Sequence, residues 1–167
     1  MTAGTLIYGL AVVLLLYVSC VDLASLRIPN LAAAAIAACF IPFAVAVQMP
    51  FYAFLLHVGV GLAVLAVGFV LFSIGLRFGA GDAKLFAALS LWCGLDKLLP
   101  FFVVMCFVGG ALGIIVFMLR QFGIPVWLAA HGWHIPALDI DKSKAFVPYA
   151  PAMAFAFIYV SYLGFSF

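Results

Sequence analysis

The chain has 167 residues, a mean hydropathy of +1.41, 70% apolar residues and 7% charged ones. A soluble domain carries roughly a quarter of its residues as charges, so this composition excludes a soluble globular enzyme, a nucleic-acid-binding protein and a disordered chain. Seven bases stand against five acids, all of them aspartate, for a net charge of +2; a protein so poor in charge has to be dissolved by membrane lipid.

Each membrane span needs about 20 apolar residues, so residues 1–167 have room for five or six spans in one integral-membrane domain. Residues 1–4 lack the positive region of a signal peptide, and no small-residue cleavage site ends the run that follows. That run therefore reads as a retained first helix. Six segments emerge in chain order. Residues 4–21 form an uncharged run that ends at Asp22. Residues 31–49 are rich in alanine and start just after Pro29-Asn30. Residues 51–76 carry His57 as their polar interruption. Residues 82–95 follow Gly79-Ala80-Gly81, residues 98–119 come next, and residues 147–167 close the chain.

The fourth segment is short, because fourteen helical residues span about 21 Å against a hydrocarbon core of about 30 Å. Charge asymmetry decides whether it crosses. With six transmembrane helices and the N-terminus outside, the cytoplasmic side receives Arg27, Arg77, Lys84, Arg120, Lys142 and Lys144, and the outside receives Lys97 alone. Without the fourth crossing the later loops change sides and the bias disappears. The positive-inside rule therefore favours an all-α polytopic protein with six spans. The short helix is accommodated by local thinning or a wet recess.

In this topology Asp22, ending the first span, and Asp82, beginning the fourth, share one depth at the cytoplasmic face. Asp96 lies beside Lys97 in an outer turn, and Asp139 and Asp141 lie near Lys142 and Lys144; these three read as solvated loop charges. A carboxylate at the membrane is costly and marks a functional hypothesis. If Asp22 and Asp82 converge, they share one proton and their pKa values separate. One can then take a proton from water while the other polarises a peptide carbonyl, which is aspartyl-protease chemistry and calls for no metal or cofactor. The plainer account is a pair of helix-end charges facing headgroups.

Around Asp22, Arg27-Ile28-Pro29-Asn30 follows. Pro29 ends any continuation of the first helix, and Asn30 can cap the backbone donors of the second. Before Asp82, Gly79 and Gly81 permit unusual dihedrals and close backbone approach. Asp82 would also sit at the positive end of a helix dipole.

These residues resemble those of the type IV prepilin peptidases, membrane aspartyl proteases with a G-x-G-D signature. Gly79, Gly81, Asp82 and Lys84 match G-x-G-D-x-K; Asp22 with Arg27-Ile28-Pro29-Asn30 matches the element around the first catalytic aspartate; Pro148-Tyr149-Ala150-Pro151-Ala152 is similar to the proline motif that opens the last helix. Larger members carry C-x-x-C pairs in an N-terminal extension and also methylate the mature product. The chain instead resembles the short, peptidase-only branch associated with Flp-type pili of tight-adherence systems, so N-methyltransferase activity is not carried over. The resemblance implies that Asp22 and Asp82 are the catalytic pair. It implies a prepilin or pseudopilin substrate whose basic leader stays cytoplasmic while its apolar helix lies in the bacterial inner membrane, with the cut after a glycine. The peptide must be extended at the cut, and the Gly79–Gly81 turn is a candidate for holding it.

Arg27, Arg77 and Lys84 read as topology anchors whose charged ends reach the headgroups; Lys84 can also act on the charge of Asp82. His131 and His134, with Asp139 and Asp141 nearby, invite a metal reading, but Trp127, Trp133 and two prolines make an interfacial loop the simpler account. His57 reads as a neutral, hydrogen-bonded bundle residue. The four cysteines form no C-x-x-C pair and read as small buried hydrophobes. Small residues at 109–113 and along 32–38 suggest close helix packing. A rival class is a proton-coupled transporter or channel that uses the same two aspartates, and a third is an idle scaffold of a pilus assembly. Transporter sites lie near the midplane within repeats and broken helices, whereas here both acids lie at one edge and no repeat is evident. Metal chelators should leave leader removal unchanged in a gel-shift assay; a loss restored by zinc would revive the His131/His134 site.

Overall fold

The computed structural model describes residues 2–74, 79–122, 124, 131 and 147–164. The expectations for Arg77, for Trp127, Trp133 and His134, and for Asp139, Asp141, Lys142 and Lys144 lie outside the described residues. Those residues form five helical elements: α1 (Ala3–Ser25), α2 (Asn30–Ala46), α3 (Phe51–Ser73), α4 (Ala80–Gln121) and α5 (Ala150–Gly164).

Thr2 caps α1 by accepting a bond from the Thr5 N–H. The helix runs one turn beyond the apolar stretch that ends at residue 21, so Asp22 lies within it rather than at its edge. Ser19 and Ser25 do not interrupt it, because each hydroxyl bonds the carbonyl four residues back, Leu15 and Val21. The stop comes at Leu26, in the left-handed region at φ 52°, whose N–H closes on the Asp22 carbonyl. That conformation costs a side-chain-bearing residue of order 1 kcal/mol. Pro29, at φ −63°, then starts α2, and its carbonyl accepts from Ala32 and Ala33.

α4 is 42 residues long but not straight. Gly94 stands at φ 64°, ψ −172°, a conformation open in practice to glycine alone, and divides the element into two arms. The chain folds back there: the rings of Phe86 and Phe101 stack with centroids 5.4 Å apart, whereas a straight helix would separate these residues by about 22 Å. The reversal expected at Asp96-Lys97 is made by Gly94, and those two charges begin the second arm. His57 of α3 completes the break. Its Nδ1 lies 2.8 Å from the Leu91 carbonyl, just before the kink, and its ring stacks on Phe40.

The count of six spans does not survive. Among the described residues, three helices have the length and apolar run of a span, namely Ala3–Ser25, Phe51–Ser73 and Ala80–Gln121, while α2 and α5 are shorter apolar helices. The difference has local causes. α2 ends at Ala46 rather than at residue 49, and the first arm of α4, expected to be short, ends at the Gly94 reversal. The surface is that of a membrane protein all the same. Along α3 the exposed side chains include Phe51, Leu55, Leu62, Val67 and Phe69, which only lipid can solvate in such numbers.

The core is an aromatic knot around Trp92 on the first arm of α4. Its ring meets Tyr8 of α1, Phe40 and Phe43 of α2 and Phe157 of α5, and its Nε1 donates to the Ile36 carbonyl at 2.9 Å. Lipid is as apolar as these side chains, so close packing rather than escape from water holds the helices together. Gly61 marks one such approach, since a Cβ there would stand 3.1 Å from Leu91 Cβ; Gly109 marks another, against the Tyr149 ring. Gly110 and Gly113 meet nothing within 4 Å, so only one member of that glycine cluster packs a partner helix. Of the cysteines, Cys93 is buried while Cys20 and Cys106 are exposed.

A Cβ at Gly94 would fall 2.6–3.0 Å from three atoms of the His57 ring. Gly94→Ala should therefore lower stability by about 1–3 kcal/mol, read as a reduced melting temperature in detergent. Gly110→Ala should not; equal melting of the two variants would contradict the role given to the break.

Candidate active site

The C-terminal end of α1 and the N-terminal ends of α2, α4 and α5 meet at one end of the bundle. A cavity of about 380 Å³ opens between them, lined by Asp22, Leu26, Arg27, Ile28 and Asn30 from the first turn region, by Gly79, Ala80, Gly81 and Asp82, and by Val147. Two carboxylates far apart in sequence thus line one space.

They are held differently. Asp22 is only 4% exposed, so a headgroup-facing role does not describe it. Its Oδ2 accepts the backbone N–H of Ala150 at 3.1 Å, one of the otherwise unpartnered donors that open α5. Asp82 is half-buried and is the third residue of α4. From that position it reaches back to the backbone N–H of Gly79, the residue before the helix, and it feels the charge of Asp22. This is the acidic half of a capping box. Three helices begin at the cavity, so the positive ends of three dipoles face two carboxylates.

The glycines act through space rather than dihedral freedom. Gly79 has φ −66°, and Gly94 is the positive-φ glycine among the described residues. A Cβ at Gly79 would stand 2.5 Å from Asp82 Oδ2, and one at Gly81 would stand 3.0 Å from Ile28 Cβ. The first lets the Asp82 side chain fold back; the second lets the start of α4 lie directly on the α1–α2 connection. Asn30 departs from the capping role expected of it. Pro29 holds the cap position with no side-chain bond, and Asn30 Oδ1 instead accepts from Lys84 Nζ at 2.9 Å. That bond ties α2 to α4 beside the cavity.

Asp22, Asp82, Gly79, Gly81, Arg27 and Asn30 are therefore brought together around one space. Lys84 stands next to it through Asn30, and Pro29 shapes the turn without lining the cavity. Sequence reasoning gave no role to Leu26, Ile28 or Val147, nor to the Ala150 N–H. A signal existed for the last: prolines at 148 and 151 flank a helix start, where free N–H groups are found.

Residues 9–114 match the sequence profile of the type IV leader peptidase family. The chain belongs to that family. No curated protein and no solved structure matches it. Membership in the type IV leader peptidase family implies a peptidase and a pilin-type substrate. The matched residues contain both carboxylates and the glycine turn, while Ala150, which orients Asp22, lies beyond them.

Gly79→Ala should displace the Asp82 carboxylate; if Asp82 takes part in the reaction, peptide cleavage should slow about ten- to a hundredfold, the cost of a small misplacement of a reacting group. Gly113→Ala, in open space, should cleave at the parent rate. Equal rates for the two would show that the fit at Gly79 does not matter.

Proposed function

We propose that this leader peptidase is an aspartic endopeptidase that removes the leader of Flp-type prepilins or pseudopilins, with Asp22 and Asp82 as its catalytic pair. The observation that carries the reading is the shared cavity: two carboxylates, one nearly fully buried and one half-buried, line a space large enough for water and an extended peptide. Family membership supports the reaction class.

One carboxyl carries a proton and its neighbour is ionised. The ionised oxygen takes a proton from a water between them, and the water oxygen adds to the scissile carbonyl carbon. The protonated carboxyl gives its proton to the carbonyl oxygen, forming a neutral diol. Collapse of the diol breaks the C–N bond as the proton taken from water passes to the leaving nitrogen and one diol hydroxyl returns its proton to the carboxylate that gave one, which restores the singly protonated pair. The Ala150 N–H fixes one oxygen of Asp22, a carboxylate that lines the cavity. Gly79 and Gly81 leave room for an extended segment of substrate backbone beside Asp82. Arg27 and Lys84 lie at the same end of the bundle. With the N-terminus outside, that end faces the cytoplasm, where a basic leader would wait, and the protein would reside in the bacterial inner membrane.

Asp22→Asn and Asp82→Asn change charge with little change of shape. Each should reduce leader removal from a co-expressed prepilin below detection on a gel while the variant still inserts in the membrane. Cleavage at the parent rate by either would overturn the assignment. Because the pair needs one proton and no more, the rate should fall on both the acid and the alkaline side of an optimum. A rate independent of pH across the range in which the protein stays folded would argue against a carboxyl pair.

A further inference from the structure

A second and larger cavity lies beside the first. It holds about 690 Å³ and runs between α2, α3 and the first arm of α4. Its walls are apolar: small on α2 and α4, with Ala34, Ala37, Ala38 and Ala87, and bulkier on α3, where Phe54 and Leu62 flank Gly61. Along α2 it extends from Asn30 to Ile41, about 16 Å at helical rise, so it lies lengthwise with the helices. Its two polar lining residues, Asn30 and Lys84, are bonded to each other, which places them together at one end. Asn30 also lines the aspartate cavity. The two spaces thus adjoin at Asn30, at the end of the groove that holds the Asn30–Lys84 bond.

We propose that this groove seats the apolar helix of the peptide substrate that follows the cleaved bond, an inference that rests on the leader-peptidase reading above. Three features favour a peptide helix over a lipid tail. One end of the groove is at Asn30, which also lines the aspartate cavity, next to where the residues after the cut must emerge. It runs parallel to the enzyme's own helices, as a membrane-spanning substrate would. Its α2 wall of alanines lets a helix backbone approach closely, the way helices associate where no hydrophobic drive exists between them. A lipid tail adapts to any apolar surface and gains nothing from a start at Asn30. The groove thus supplies binding energy away from the reacting bond and sets which bond reaches Asp22 and Asp82.

The test fills the groove. Ala34→Trp and Ala38→Trp place large rings at its exposed rim; Leu55→Trp places one on an exposed part of α3 outside it. With purified enzyme and a full-length prepilin in detergent, the two groove variants should raise KM at least tenfold and keep kcat within about twofold, the signature of lost ground-state binding. Leu55→Trp should change neither. An unchanged KM in both groove variants, or a loss confined to kcat, would overturn the proposal. In a second measurement, a photo-crosslinking residue at position 38 in the Asp82→Asn background should capture the prepilin within the segment after the cut; capture of lipid alone would overturn it. If the parent enzyme removes no leader at all, the peptidase reading fails on its own account, and the crosslink still decides whether the groove takes the peptide.

Discussion

Asp22 is a nearly fully buried carboxylate in a chain with little charge, and the donor that meets it comes from 128 residues away in the sequence. A buried charged acceptor left without a partner costs several kcal/mol. The chain meets that demand with the first backbone N–H of α5. The same contact sets α5 against α1 and orients one oxygen of a carboxylate that lines the cavity. The start of the last helix is thereby part of the site, although it carries no side chain that reacts.

The remaining geometry follows from how helices pack where water does not drive them together. Trp92 joins α1, α2, α4 and α5 through ring contacts and one hydrogen bond to Ile36. Gly61 and Gly81 bring the first arm of α4 close to α3 and to the α1–α2 connection. The Lys84–Asn30 bond closes the remaining side. Each contact is modest, but together they hold the short arm that carries Asp82 on three sides. The break at Gly94, held by His57, ends that arm and returns the chain as a separate helix. Asp82 thus sits at one end of a rigid segment whose other end is fixed. Such an arrangement suits a reacting group that must stay in register with a partner on another helix.

Much of this was legible in the residues. Charge is so rare here that each aspartate stands out, and Asp22 and Asp82 were expected at one depth. The Gly-Ala-Gly turn before Asp82, the Pro29 stop and the helix start near Pro148 could be read from local stereochemistry. The reading failed where a local signal had several physical outcomes. Gly79 and Gly81 were open to unusual dihedrals or to close approach, and only the second, the omitted Cβ, is what they supply. Asn30 looks like a helix cap, yet its oxygen is taken by Lys84. The count of six spans followed from charge bias, which says which side a loop prefers and nothing about how long each helix is.

The sequence by itself determined the solvent, the helical class, the places where helices start and stop, and the short list of acids able to do chemistry. These follow from composition and from neighbours within a turn or two, where sterics and hydrogen bonding are local. Only the tertiary structure decided that Asp22 and Asp82 line the same cavity, that the N–H of Ala150 orients one of them, that Gly94 folds α4 back on itself, and that an apolar groove adjoins the cavity at Asn30. Those are meetings between residues tens of positions apart, and they depend on the whole set of interhelical distances, which no single stretch of chain encodes.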